Sequence, residues 1–433
     1  MKSNFRKRIM AFCFTLVFFS LAIMPAIETS SLTKYSLPSP SDVDMILEES
    51  IFRRMSVREF TTEPVTDEEL STILWAAYGL RDDGKRTVSA IDGIHAAVIY
   101  VLKEDAAYTY DALNHSLVLY KEGDYRDIVG WQYSAPIQLG LCWDTDKTEI
   151  CFAGVELGEI GQNIQFIANA LDLGTVVTAQ GPDSAIEPLG LPDNEKGMVV
   201  MPLGHPNYYY NFINKPWWLS CLPRIQYSDV SLSAAIQERE ESNFWSGELT
   251  KQEETQLIWA SYGYSYFLDD SNNTIGRLDR HRTVPSAHGY YPLQMYVATE
   301  SGIYLYFPNF YNPVYGLLRG IWNLPVVTFL IKIKNGDYRK DIAQASSNPS
   351  IDSAPIIIIS VLDVKKTIRW DDLSGMLHIW YYEAGASAQN ILLEATAWDL
   401  SGGIEFPSDV ATIRSLFKLT DDFVPLLIVP VGR

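Results

Sequence analysis

Polar and apolar residues alternate over Arg54-Met55-Ser56-Val57-Arg58, the period of extended chain, and helical signals lie on both sides of that stretch. Upstream, Asp44 to Arg54 reads as a short helix that delivers the arginines. Downstream, Thr66-Asp67-Glu68-Glu69-Leu70 combines an N-cap with acidic residues in a first turn, and predicts a helix through Ile73, Leu74 and Ala77 to Gly79. Alternation sends Arg54, Ser56 and Arg58 to one side, where two guanidinium groups and a hydroxyl can converge on a phosphate or carboxylate. Taken alone, R-x-S-x-R also describes a basic surface turn before a helix.

The pattern then repeats. Trp75-Ala76-Ala77-Tyr78-Gly79 reappears as Trp259-Ala260-Ser261-Tyr262-Gly263. Arg86-Thr87-Val88, Ile99-Tyr100-Val101 and Tyr108-Thr109-Tyr110 answer to Arg282-Thr283-Val284, Met295-Tyr296-Val297 and Tyr304-Leu305-Tyr306, all at a spacing of 196. Gly123-Asp124-Tyr125-Arg126 matches Gly336-Asp337-Tyr338-Arg339 at 213, so the second copy gains 17 residues (213 − 196), which fall within Phe307 to Val327. Ser134-Ala135-Pro136 and Ser353-Ala354-Pro355 precede strand-like runs. Glu156-Leu157-Gly158 with Gly161-Gln162-Asn163, and Glu383-Ala384-Gly385 with Ala388-Gln389-Asn390, lie on helices with apolar residues at helical spacing. Met201-Pro202-Leu203-Gly204 and Val429-Pro430-Val431-Gly432 close the copies. An ordered series of this kind marks two copies of one α+β unit, residues 44–206 and 234–433. Residues 207–233 form an aromatic linker with Tyr208, Tyr209, Tyr210, Trp217 and Trp218, expected to pack against the body rather than swing freely. The insertion is apolar but broken by Pro308, Pro313 and Pro325, which suits a lid or a surface patch and not a membrane span.

At the N-terminus, Lys2, Arg6, Lys7 and Arg8 precede an uncharged apolar run from Ile9 to Ala26, so residues 1–30 read as a cleaved signal peptide or a retained membrane anchor. Either places the body outside the cytoplasm. The 433 residues, 47% hydrophobic, suffice for two packed cores. A net charge of −19 argues against nucleic acid as a partner, so any bound anion must be held by local donors. Of four cysteines, Cys13 lies in the apolar run, which leaves Cys142, Cys151 and Cys221 and rules out a full disulfide framework. Cys142 and Cys151 are expected as thiols, with a hairpin disulfide as the alternative in an oxidising compartment. The sequence has no C-x-x-C, H-E-x-x-H, G-x-S-x-G or phosphate-loop motif, and its histidines lack metal-ligand spacing. That absence suits an enzyme whose chemistry is carried by a cofactor.

Taken together, these residues resemble the FMN-dependent nitroreductase family. Arg54-Met55-Ser56-Val57-Arg58 with Phe60, Pro64 and the Glu68-Glu69-Leu70 helix looks like the family's opening. Arg282-Thr283-Val284-Pro285-Ser286-Ala287 with Tyr291-Pro292 resembles the P-S-A-G-x-x-Y-P stretch of its SagB-type branch, which oxidises thiazolines and oxazolines in modified peptides; Tyr108, Tyr110, His115, Leu117 and Gly123-Asp124 match that branch too. The resemblance implies a mixed, mostly antiparallel sheet flanked by helices, normally a homodimer with two FMN sites, here fused into an intrachain pseudo-dimer that acts as a monomer. It implies hydride transfer through flavin N5, on a small-molecule or peptide substrate. Carried over, Arg54, Ser56 and Arg58 would hold the phosphate and ribityl chain. Glu156 and Gly158 would approach N5, and Pro285, Ser286 and Ala287 would meet the ring from the other half. His205 stands where the family places a further basic phosphate ligand, and Arg433 stands there in the second copy. In the mirror site the second copy reads Ser242-Asn243-Phe244-Trp245-Ser246-Gly247 in place of R-x-S-x-R, and the first reads Ser89-Ala90-Ile91 in place of P-S-A. One FMN per chain is therefore expected. The Lys and Tyr that the peptide-oxidising branch uses have no match before Glu156 or Glu383. The alternative is an exported, non-catalytic binding protein on the same duplicated fold.

Overall fold

Thr66 and Thr250 open the same helix twice. In the computed structural model of the chain, each hydroxyl accepts the backbone N–H of the glutamate three residues on, Glu69 or Glu253, at 3.2 Å. Each glutamate carboxylate in turn accepts the threonine N–H, at 2.7 and 2.6 Å, so both helices begin with a reciprocal capping box. They run Asp67–Tyr78 and Lys251–Tyr262. Beyond each C-terminus the Trp75 and Trp259 indoles donate to the carbonyls of Leu80 and Tyr264, both at 2.9 Å, which explains why the W-A-x-Y-G sequence recurs. The structure describes residues 33–129, 133–179, 186–207, 211–212, 218–220, 222–265, 268–269, 282–308, 326–368 and 375–433. The N-terminal apolar run, much of the aromatic linker and most of the apolar insertion lie outside them. Among the described residues no helix is long and apolar enough to cross a membrane.

Both halves have one architecture. In the first, α1 (Leu47–Arg53) and α2 (Asp67–Tyr78) precede β1 (Ala97–Leu102), β2 (Ala106–Asp111), β3 (Ser116–Glu122) and β4 (Ile137–Asp144). Then come α3 (Ile150–Ala170), β5 (Gly174–Thr175), β6 (Thr178–Ala179) and β7 (Glu195–Gly204). In the second, α4 (Leu232–Gln237) and α5 (Lys251–Tyr262) precede β8 (Leu293–Thr299), β9 (Gly302–Phe307), β10 (Val326–Asn335) and α6 (Arg339–Gln344). They are followed by β11 (Ile356–Asp363), α7 (Leu377–Ala397), β12 (Ser401–Gly402), α8 (Val410–Phe417) and β13 (Phe423–Gly432). The first sheet runs β3-β2-β1-β4-β7-β5 and the second β10-β9-β8-β11-β13-β12, antiparallel throughout these strands. Trp218–Ser220 adds one parallel strand beside β10. Even the irregularities repeat, with register shifts at Ala107/Tyr108 and Ile303/Tyr304 and again at Leu141/Cys142 and Ser360/Val361. The fold is thus α+β, two regions of mostly antiparallel sheet with flanking helices. The first helix is shorter than the expected Asp44 to Arg54, since α1 begins at Leu47 after an N-cap residue without a capping side chain, Ile46.

The halves meet along α3 and α7. Their contact needs the glycines of the two Glu-x-Gly sequences: a Cβ at Gly158 would stand 2.1 Å from the Tyr382 carbonyl oxygen, and one at Gly385 2.2 Å from that of Val155. At that approach, buried amides exchange hydrogen bonds across the junction. Gln162 Nε2 donates to Asn390 Oδ1 and Gln389 Nε2 to Asn163 Oδ1, each at 2.8 Å. Asn163 and Asn390 continue to the carbonyls of Ala76 and Ala260 near the ends of α2 and α5. Such groups are costly to bury unpaired, and here each half supplies the other's partners. The cores interleave as well, Trp259 and Tyr382 packing into the first and Ile91 and Val155 into the second. Residues Tyr35–Arg433 accordingly form one compact unit. The closing glycines have their own reason: a Cβ at Gly204 or Gly432 would lie 2.6 Å from Pro136 or Pro355 Cδ, so the S-A-P and closing-Gly motifs are two sides of one contact. Cys142 and Cys151 are thiols, the first buried and the second half-buried.

Gly158→Ala pushes a methyl into the backbone of the facing helix and should cost at least about 1–3 kcal/mol of stability. Urea unfolding with an unchanged midpoint would contradict so close a crossing.

Candidate functional site

Alternation in Arg54 to Arg58 does bring side chains from one stretch to one place, but two of them rather than three. The segment is extended and is pinned by Val57 N–H to the Thr175 carbonyl at 2.9 Å. Ser56 and Arg58 line a cavity of about 280 Å³, whose wall is completed from the second half by Pro285, Ser286, Ala287, His288 and Gly289. Arg54 does not line it. Only 3% exposed, it donates from Nε to the Arg282 carbonyl at 3.1 Å and from Nη1 to Gln165 Oε1 at 3.2 Å. Burial lowers its pKa from the usual guanidinium value, and Arg58 pulls the same way. Arg54 thus ties the grip of one half to the loop of the other, and corrects the expectation that all three side chains face the ligand.

Residues with no motif signal complete the apolar wall: Val176 and Val177 before β6, Thr178 on it, Met198 and Val199 on β7 and Ile379 on α7. Their apolar character is that of ordinary core residues, and all but Val177 are buried. The Pro285–Gly289 loop is held by backbone that L-residues seldom adopt, His288 at φ 51° and Tyr291 at φ 48°. The turn at Tyr291 brings its N–H to Ser286 Oγ at 2.9 Å. Arg282 is not a ligand in the cavity wall; its guanidinium lies about 5 Å from the rings of Tyr262, Tyr264 and Tyr291 and donates to the Tyr262 carbonyl.

The glutamate in this cavity is Glu383, from the second half. It accepts the Ser286 hydroxyl at 2.6 Å and that of Tyr262, and burial pushes its pKa up to about 7, against those two bonds and against Arg282 and Lys366. Glu156 lies elsewhere. It is buried at the mirror position, accepting Tyr78 OH at 3.0 Å and the backbone N–H groups of Ala96 and Ala97 at 2.9 Å each, beside His95. Gly158 serves the helix crossing. Glu383 therefore lines the cavity where Glu156 and Gly158 were expected, because each glutamate faces the loop of its own half. His205 is also outside the cavity wall, its carbonyl accepting the Thr61 N–H at 2.8 Å. Among the described residues, no cluster of three His, Cys, Asp or Glu could hold a metal ion.

The model of the nitroreductase family matches residues 51–205 and again 243–433. The chain belongs to the nitroreductase family. Members of this family are flavin-dependent oxidoreductases. A protein named as a nitroreductase of Methanocaldococcus jannaschii is 30% identical over 190 residues, which are 38% of this chain and 93% of that protein. The NADPH-flavin oxidoreductase of Vibrio harveyi is 29% identical over 163 residues, 37% of this chain and 65% of its own length. The crystal structure of a protein named as a nitroreductase from Anabaena variabilis shares the fold over 94% of this chain and 95% of that one, with a TM-score of 0.65 at 16% identity.

In this nitroreductase the mirror position carries other side chains. Paired contacts fix the correspondence at 185 residues: Thr61 N–H bonds His205 O as Ser246 N–H bonds Arg433 O, and Val57 N–H bonds Thr175 O as Ser242 N–H bonds Gly402 O. Opposite Arg54, Ser56 and Arg58 therefore stand Arg239, Glu241 and Asn243, not the Ser242 to Gly247 window expected from the sequence. The first arginine is retained but is engaged. Arg239, 1% exposed, donates to Glu159 Oε1 at 3.0 Å, to Gln389 Oε1 at 2.9 Å and to Glu241 at 2.5 Å. Glu159 also accepts the Ser89 N–H at 3.0 Å and hydroxyl at 2.9 Å. Arg433 is paired too, with Glu253 and the Glu248 carbonyl.

Arg239→Met strands Glu159 in the interior and should cost about 3–5 kcal/mol, whereas adding Glu159→Leu should return most of it. Equal losses in the single and double variants, by denaturant unfolding, would show that the pair is not the coupled unit described here.

Proposed function

We propose that this nitroreductase binds one FMN per chain, in the cavity shared between its halves, and works there as an FMN-dependent oxidoreductase. The observation that carries the reading is the composition of that single wall. One half contributes a cation and a hydroxyl, Arg58 and Ser56, and the other a proline-bounded loop with Ser286, with Val176, Val177, Met198, Val199 and Ile379 as apolar surface. This set fits FMN, whose phosphate needs charge-assisted donors and whose ring needs a flat apolar slot. When bound, FMN supplies reversible two-electron chemistry. The chain's own part is to hold and orient it: Arg58 and Ser56 for the phosphate end, the Pro285–Gly289 loop for the ring, with the apolar wall excluding water.

The mirror position argues for one site rather than two. An anionic phosphate there would meet Glu241 where Ser56 stands and Asn243 where Arg58 stands, with Arg239 already neutralised by Glu159. The Pro285–Gly289 loop resembles that of the peptide-oxidising branch, but the Lys and Tyr of that branch have no match here, so its chemistry stands only as a second reading beside general flavin redox chemistry. Its direct test is oxidation of a thiazoline-containing peptide by the FMN-loaded protein.

Arg58→Ala should weaken FMN binding roughly ten- to a hundredfold, the value of about 1.5–3 kcal/mol for a charge-assisted bond, with the unfolding midpoint retained. Titration followed by flavin fluorescence should saturate at one FMN per chain. Two equivalent sites, or an Arg58→Ala variant that binds as tightly as wild type, would overturn the assignment.

A further inference from the structure

Helices α3 and α7 place a buried glutamate at the same point of each half, Glu156 and Glu383, and the two halves satisfy them differently. Glu156 receives two backbone amides, from Ala96 and Ala97. At the 196-residue spacing these positions are Pro292 and Leu293, and the equivalence is structural, since Asp144 N–H bonds Ala96 O as Asp363 N–H bonds Pro292 O. Proline has no N–H to give, and the Leu293 N–H turns to Tyr262 OH at 3.4 Å. Glu383 is left with two hydroxyl donors, Tyr262 on one oxygen and Ser286 on the other. Amide pairs hold a carboxylate ionised, and their loss in a buried site favours the protonated acid, in line with a pKa pushed up to about 7. Unlike Glu156, Glu383 and its partner Ser286 both line the cavity.

We propose that Glu383 and Ser286 form a proton-holding dyad in the cavity wall, in which the protonation state of Glu383 sets the direction of the Ser286 hydroxyl. With Glu383 ionised, Ser286 donates its single O–H inward at 2.6 Å. With Glu383 protonated, the carboxyl donates to Ser286 Oγ, which already accepts the Tyr291 N–H, and the serine hydroxyl is released toward whatever fills the cavity. Passing the proton on breaks the Glu383 and Ser286 O–H bonds, makes a new O–H on Ser286 and delivers one proton to the ligand, with no electron changing hands. The other groups facing Glu383 are Tyr262 on α5, Arg282 and Tyr291 beside the loop and Lys366 after β11; Arg58, Tyr133, His288 and Tyr382 line the same cavity. The nature of the ligand rests on the FMN reading above, but the dyad itself does not.

Two measurements test it. In the full-length protein without flavin, infrared difference spectra between about pH 6 and 8 should show a protonated-carboxyl C=O band that fades as pH rises and is missing in Glu383→Gln. No band that the variant removes would overturn the proposal. The released hydroxyl is a donor present below the pKa and lost above it, so FMN affinity should fall roughly three- to tenfold across that range, the value of about one neutral hydrogen bond. Glu383→Gln, whose amide donates to Ser286 at every pH, should remove this dependence and bind as wild type does at low pH. Ser286→Ala should remove it while keeping the carboxyl band. The second ionisation of the FMN phosphate, near pH 6, is common to all three proteins and cancels in the comparison. A Glu383→Gln protein that follows the wild-type pH dependence would overturn the dyad. Absence of FMN binding at any pH would instead sink the flavin reading, with the infrared band still deciding the dyad.

Discussion

Everything on both sides of this molecule depends on two helix backbones coming close enough for buried amides to trade partners. Gly158 and Gly385 permit that approach, and Gln162, Asn163, Gln389 and Asn390 use it. The exchange is reciprocal, so neither half can satisfy these groups alone, and the cost of leaving them unpaired holds the halves in one register. The cavity inherits that register. Its walls come from residues separated by more than two hundred positions, and a shift at the helix crossing would part Arg58 from the Pro285–Gly289 loop.

Within this near-symmetric frame the two positions for a ligand diverged through the polar groups that fill them. Arg54 and Arg239 occupy corresponding points and both are buried, yet Arg54 spends its donors on a carbonyl and an amide while Arg239 meets two carboxylates. The former leaves neighbouring Ser56 and Arg58 facing a cavity; the latter is held in a buried ion pair with Glu159. The two central glutamates differ in the same way, Glu156 receiving backbone donors and Glu383 hydroxyls that can reverse. Proline at 292 removes one N–H, the Leu293 N–H turns to Tyr262, and serine at 286, where the first half has Ala90, supplies a hydroxyl instead.

The misreadings have a common cause. The resemblance implies that Glu156 and Gly158 approach a ligand together, but on a helix Glu156 meets a loop and Gly158 a facing helix. Periodicity reports that such residues are buried and cannot report against what. Alternation over Arg54 to Arg58 told which side chains share a direction, not how deep each would lie, so the arginine nearest the helix end became a structural tie. Val176 to Thr178, Met198 and Val199 carried no signal because an apolar ligand wall and an apolar core use the same residues.

What the sequence determined by itself was whatever is local or repeated: the capping boxes at Thr66 and Thr250, the extended grip, the antiparallel α+β unit and its recurrence. It also joined Ser56 and Arg58 to Pro285, Ser286 and Ala287, because the motifs survive in complementary copies. Tertiary structure alone decided which glutamate serves the cavity, that Arg239 is the counterpart of Arg54, and that Arg433 is already paired. These are questions of which donors reach which acceptors across the junction between halves. The answer depends on distances of a few tenths of an ångström in a dry interior, where one missing N–H or one added carboxylate changes the charge a site will hold.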